Sequence, residues 1–129
     1  MTPPDAQMTV GPIAEETAQF WATCGNGQLT LRWCTACDRP HHYPRTLCPF
    51  CLGETEWRNA SGYGEIYAFS IQRRVPEEFA VGYVKLDEGV MMLTRLVGAP
   101  FDEMRIGQRV QVLFVPSTDG LRVPVFQPA

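Results

Sequence analysis

Lysine is nearly missing from this chain: it occurs once in 129 residues, at Lys85. Arginine is scattered, Arg73-Arg74 is the only adjacent basic pair, and Asp and Glu outnumber Lys and Arg by 14 to 11. Nucleic-acid surfaces gain most of their affinity by neutralising phosphates with clustered cations, so a formal charge of -3 argues against one. No apolar run approaches the roughly 20 residues that span a bilayer, and no membrane role is expected. The opening MTPPDAQMTV has no basic residue and no long apolar core, so it does not read as a secretory signal; the expected location is the cytoplasm. Repeats and low-complexity segments are also missing. With 45% apolar and 19% charged residues the composition is that of a globular protein. The length suits one compact domain or two small modules joined.

Histidine is scarce as well, and His41 and His42 are adjacent. An activated nucleophile needs a base within hydrogen-bond reach, which leaves only Cys24 with a distant histidine as a remote possibility. Asp87 and Glu88 are neighbouring carboxylates, but on a turn such a pair is more often solvated than arranged for acid and base work. The residues offer no catalytic site.

Cysteine is abundant in one place. CTACDRPHHYPRTLCPFC, Cys34 to Cys51, holds four of the five cysteines as two Cys-x-x-Cys pairs separated by ten residues. Five cysteines cannot all pair within one chain, a reducing compartment disfavours disulfides, and a thioredoxin-type site uses a single pair. Two such pairs are what tetrahedral Zn²⁺ requires: each makes a tight turn presenting two thiolates, and the intervening segment closes the other half. Iron, or a degenerate site without metal, are the alternatives. The expected ligands are Cys34, Cys37, Cys48 and Cys51, with His41 and His42 as loop residues beside them. Four thiolates leave no open position for substrate, so the expected Zn²⁺ is structural and helps fold a segment too small to build its own core.

Around this staple the pattern changes twice. Residues 1–28 read as a loose arm and a helix: Pro12 suits a first turn, Glu15 and Glu16 its positive end, and Gly25 a stop. Ile13, Thr17, Phe20, Trp21 and Cys24 fall on one face. Phe20 and Trp21 either pack on the rest of the chain or form an aromatic face for a partner. Residues 29–58 read as strand, knuckle, loop, knuckle, strand, from LTLRW to ETEW, which is the order of a rubredoxin-like zinc ribbon. From residue 59 to 129 the chain turns all-β. A long strand runs from about Tyr63 to Arg73, and AVGYVKL and VMMLTRLV form a hairpin about Asp87-Glu88-Gly89. A helical turn closes at Gly107, followed by RVQVLFV and LRVPVFQ, whose Pro124 belongs at an edge or bulge. Three strands, a short helical link and two strands make a five-stranded OB barrel the expected fold, with a kinked β-sandwich as the alternative. The consecutive Met91 and Met92 point to opposite faces of their strand, one of them into the core.

The ordered set of FW, L-x-x-C-x-x-C (Leu31, Cys34, Cys37), YPR before CPFC, SGYGEIYAFS with Ser70, GYVKLDEG, LTRLVG, RIGQRV and VFQPA runs from about Thr17 to Ala129. In this set the chain resembles the two-module zinc-ribbon/OB-fold proteins described as acyl-CoA-associated, the non-catalytic partners of thiolase-superfamily enzymes, steroid side-chain aldolases among them. The resemblance implies an accessory subunit, not an enzyme. Its helix and zinc module would dock on a thiolase-fold partner in a hetero-oligomer, and its barrel would border the partner's acyl-CoA entry. Phe20, Trp21 and Phe69 are the candidate interface residues. Arg73 and Arg74 would either meet CoA phosphates or be solvated. The competing readings are a nucleic-acid module using Tyr63, Tyr67 and Phe69 as stacking platforms, and a free-standing acyl-CoA binding protein.

Overall fold

The computed structural model describes residues 8–74 and 76–129. A 3₁₀ turn, Glu15–Thr17, leads into helix α1, Ala18–Gly25. Strands β1 (Thr30–Cys34), β2 (Pro40–His41) and β3 (Thr55–Asn59) form a small sheet in the order β2-β1-β3. Five longer strands follow: β4 (Tyr63–Gln72), β5 (Phe79–Leu86), β6 (Met91–Leu96), β7 (Arg109–Pro116) and β8 (Arg122–Pro128). A second 3₁₀ turn, Phe101–Glu103, lies between β6 and β7. The five close into a barrel in the order β4-β5-β6-β8-β7, with β7 returning to pair with β4. Closure is the OB architecture expected from the strand order and excludes the kinked β-sandwich.

The helix departs from expectation at both ends. Pro12 lies outside it, because Gly11 takes φ +83° and Ala14 is still extended. Gly25 is its last helical residue. The left-handed stop is Gly27, at φ +76°, whose N–H donates to the Cys24 carbonyl at 3.0 Å. Arg122 of β8 reaches back to the Gly25 carbonyl at 3.4 Å, favourable charge for a helix C-terminus. Of the two predicted first-turn acids, Glu16 is also tied elsewhere: it accepts the Thr46 N–H at 2.8 Å, fastening the loop between the knuckles to the helix start. That bond lowers the Glu16 pKa below the ordinary carboxylate value.

In the barrel, β4 pairs with β5 along its length, but the register shifts between Ile66 and Ala68. The extra residue of this bulge is Tyr67, which is exposed. Beyond it the alternation is reversed, so that Phe69 and Ile71 pack against the core opposite Gly82 and Ala80. Pro124 sits where β8 runs beside β6 with only Leu96↔Phe126 paired between them. Its missing N–H therefore interrupts no β6–β8 ladder, and its carbonyl accepts the Thr94 hydroxyl at 3.2 Å. Met92 is buried and Met91 lies on the outer side, as the strand period requires.

One apolar cluster runs through all three parts: Phe20 and Cys24 of α1, Leu29 and Leu31 at the ribbon's entry, and Ile66, Val84, Leu96 and Phe126 of the barrel. The ribbon is thus held by the same core as the barrel.

Candidate metal centre and the adjoining cleft

Each Cys-x-x-Cys pair is a knuckle that ends in a left-handed residue, Asp38 at φ +55° and Leu52 at φ +63°. The Cys37 N–H points back at Cys34 Sγ at 3.3 Å, and the Phe50 N–H at Cys48 Sγ at 3.4 Å. The backbone is wrapped around sulfur in both halves. Cys34 N–H bonds to the Arg39 carbonyl at 2.8 Å and Cys48 N–H to the Gly53 carbonyl at 2.9 Å, closing the two turns. All four sulfurs lie within 4.8 Å of one another, with Cys34–Cys51 at 3.5 Å and Cys37–Cys48 at 3.7 Å. Zn–S bonds of about 2.3 Å to a tetrahedron require S···S edges of ~3.8 Å. The donor set therefore fits a Cys₄ zinc ion.

The electrostatics agree. The Cys37 backbone N–H holds the Cys34 thiol down to about 6, while burial pushes Cys37 up to about 12. Four crowded thiols cannot all ionise unaided, and a bound dication is what would make all four thiolates. Gly53 belongs to the site: a methyl group there would meet both Cys51 and Cys34 sulfurs at 3.2 and 3.3 Å. His41 is not part of it. Its Nε2 faces the Arg45 N–H at 3.3 Å, and His42 packs on Phe20 and Tyr43 instead.

The other predicted residues do not converge on one place. Phe20 is only 1% exposed, so its ring is spent on the chain's own core and is not available as an interface residue. Phe69 is likewise turned inward by the Tyr67 bulge, against the expectation that it faces a partner. Trp21 remains half-buried, its Nε1 donating to the Tyr43 hydroxyl at 3.3 Å. Arg73 and Arg74 follow β4 and are exposed, Arg73 at 3.9 Å from Glu78. Asp87 and Glu88 are less idle than solvated turn residues. Asp87 receives two N–H groups of Arg109 at 2.8 and 3.1 Å, and Glu88 accepts the Ser61 N–H at 2.8 Å. Each holds a different partner, so they form no acid/base pair.

Trp21, His42 and Tyr43 make one wall of a cleft of about 540 Å³ whose other wall is the outer face of β5 and β6, with Tyr83, Leu93 and Arg95. The pattern of β5 and β6 carries a signal for this cleft. The outward positions Phe79, Val81, Tyr83, Met91 and Leu93 are apolar, interrupted only by Lys85 and Arg95, where a half-solvated antiparallel pair alternates apolar with polar.

With this geometry in hand, comparison with known proteins is informative. Residues 21–58 match the family described as "ChsH2, rubredoxin-like zinc ribbon domain" and residues 57–115 the one described as "ChsH2, C-terminal OB-fold domain". A DUF35 domain-containing scaffold protein of Methanothermobacter thermautotrophicus is 30% identical over 77% of this chain and 81% of its own length. The chain belongs to the ChsH2/DUF35 family. A probable enoyl-CoA hydratase alpha subunit of Thermomonospora curvata is 30% identical over 91% of this chain, which spans only 39% of that protein's length. Among solved structures, a chain of the Ltp2-ChsH2(DUF35) aldolase superposes with a TM-score of 0.82 at 28% identity, covering 90% of this chain and 96% of that one. A DUF35 protein of Sulfolobus solfataricus, at 12% identity and a TM-score of 0.66, shares the fold. As a ChsH2/DUF35 chain, the protein joins a zinc ribbon with four cysteines placed for a metal ion to a closed OB barrel.

Proposed function

We propose that the chain is a non-catalytic, zinc-binding subunit that docks on a thiolase-fold enzyme and helps form its acyl-CoA site. The likeness to the chain of the Ltp2-ChsH2(DUF35) aldolase, nearly end to end in both, carries this reading. The scaffold names of the archaeal relatives support it. So does the chemistry. Cys24 is buried and its thiol pushed up to about 12, the reverse of an activated nucleophile, and the other cysteines serve the metal site. The physical role of such a subunit is to cover an enzyme's mouth, excluding water and ordering its loops. Four reduced thiols suit the cytoplasm. The exposed Leu47, Phe50 and Leu52 of the ribbon are the apolar surface we assign to the partner, and Arg73 and Arg74 the cations we assign to CoA phosphates.

The test is capture of the tagged, zinc-loaded chain from a lysate of its source organism, with mass spectrometry of what comes down. A thiolase-fold enzyme in near-equal amount is expected. Recovery of RNA or DNA in its place, or of no such enzyme, overturns the reading.

A further inference from the structure

The outer face of the β5–β6 hairpin is mostly apolar where solvent would favour polar groups, with Lys85 and Arg95 its charged positions. Val81 stands opposite Arg95 and Tyr83 opposite Leu93, so these four share one face. Tyr83 is 47% and Leu93 57% exposed, although the pair sits at the mouth of a concavity and not on a convex surface. The facing wall, Trp21 and Tyr43, is anchored by the Trp21–Tyr43 hydrogen bond and by Phe20 beneath it. Both walls are thus held apart by the common core. A gap of about 540 Å³ lies within the roughly 300–1,000 Å³ of small-molecule sites, which are mostly apolar with a few placed polar groups.

The placed polar group is Arg95. It is half-buried and its guanidinium stacks on the Phe79 ring at 4.0 Å. Several other arginines are engaged, Arg109 with Asp87, Arg58 with Glu56, Arg32 with the Thr55 carbonyl, and Arg122 with two carbonyls, and Arg73 and Arg74, away from the cleft, are exposed to solvent. Among the described residues Arg95 enters no ion pair within 4 Å; Glu77 acts on it only through space. A partly buried guanidinium that lines the cleft and carries no carboxylate partner matches a carboxylate in shape and charge. The cleft offers no second cation to a dianion: burial keeps the His42 imidazole neutral, at a pKa of about 4, and Glu77 opposes further negative charge.

We propose that this cleft binds one amphipathic monocarboxylate, its apolar body between Trp21 and the Tyr83–Leu93 pair and its carboxylate on Arg95. This site lies within the chain itself and does not rest on the subunit reading, since it is filled without any enzyme present. The experiment uses the zinc-loaded full chain and dodecanoate, followed by calorimetry and by tryptophan emission, with Trp21→Phe identifying the reporter. Saturable one-to-one binding is expected, with dodecanol and dodecyltrimethylammonium at least about tenfold weaker. Arg95→Gln weakens dodecanoate by about tenfold or more, and Arg95→Lys restores part of the loss. Leu93→Glu changes an exposed position that the fold tolerates, and by placing a like charge in the cleft it abolishes binding while zinc content and circular dichroism stay unchanged. If Arg95→Gln does not fold, Leu93→Glu decides alone. Absence of saturable binding, equal binding of dodecanol, or unchanged binding in Arg95→Gln or Leu93→Glu overturns the proposal and leaves the cleft as a surface for protein side chains.

Discussion

A methyl group at Gly53 would come within 2.9 Å of the Ala36 Cβ and within 3.3 Å of two of the four sulfurs. Nothing else about this glycine requires freedom of backbone, so its value is space beside the metal. Gly53→Ala therefore displaces ligand sulfurs without removing any of them. The expected result is a loss of zinc affinity of about 10- to 100-fold, the range found when the surroundings of metal ligands are disturbed, read by competition with a chromophoric chelator. His42 supports a second prediction. Burial lowers its pKa from 6.5 to about 4, so between those values the unfolded chain binds a proton that the folded chain refuses. Stability contributed by the neutral ring is complete above about pH 6.5 and drains away as pH falls toward 4, by an amount on the order of 3 kcal/mol. Denaturant unfolding of the wild type and His42→Gln across pH 7.5 to 4 measures it; the variant's curve should be flatter through that window, zinc being kept saturating.

At the scale of elements, the structure is legible in the sequence wherever one residue type decides, and departs from it wherever a neighbour's conformation decides. Two Cys-x-x-Cys pairs prescribe knuckles, and strand alternation prescribes that Met91 and Met92 part, one of them entering the core; the structure makes it Met92. The sequence points to Gly25 as the helix stop, and only the backbone shows that Gly27 is the left-handed residue and Gly25 helical, each with open space around its missing Cβ. Opposite effects follow from the same substitution. Gly25→Ala should stabilise by about 0.5–1 kcal/mol, and Gly27→Ala should cost about 1 kcal/mol or more. The β4 bulge is the second instance. A strict period of two puts Tyr67 and Phe69 on one face, but the extra residue at Tyr67 turns Phe69 inward, a reversal that no residue in SGYGEIYAFS announces. Hence Phe69→Ala should cost roughly 2–3 kcal/mol for a partly buried ring, while Tyr67→Ala stays within about 0.5 kcal/mol. Urea unfolding of the pair compares inside with outside directly.

For the whole molecule, the question is whether ribbon and barrel melt separately. Their sequences suggest two modules, and the zinc staple suggests that the first folds by metal alone. The side chains connect them more closely. Leu29 and Leu31 enter the cluster that holds Ile66 and Phe126, the Ala60 N–H bonds to the Leu29 carbonyl at 2.8 Å, and Arg122 of β8 reaches the end of α1. Loss of the metal removes the four bonds that tie the two knuckles together and leaves protonated thiols in contact, so the knuckles are free to open. Opening them frees the loop carrying His42 and Tyr43 from Phe20, so the disturbance reaches the common core through packed side chains rather than stopping at the ribbon. The zinc-bound chain should therefore unfold in a single calorimetric transition whose midpoint rises with free zinc, as stability gains about 1.4 kcal/mol per decade of concentration above the dissociation constant. A strong chelator should lower the midpoint of that whole transition. Two resolved transitions, with the upper one indifferent to chelator, would mean that the barrel stands alone and that the shared cluster contributes little to holding the parts together.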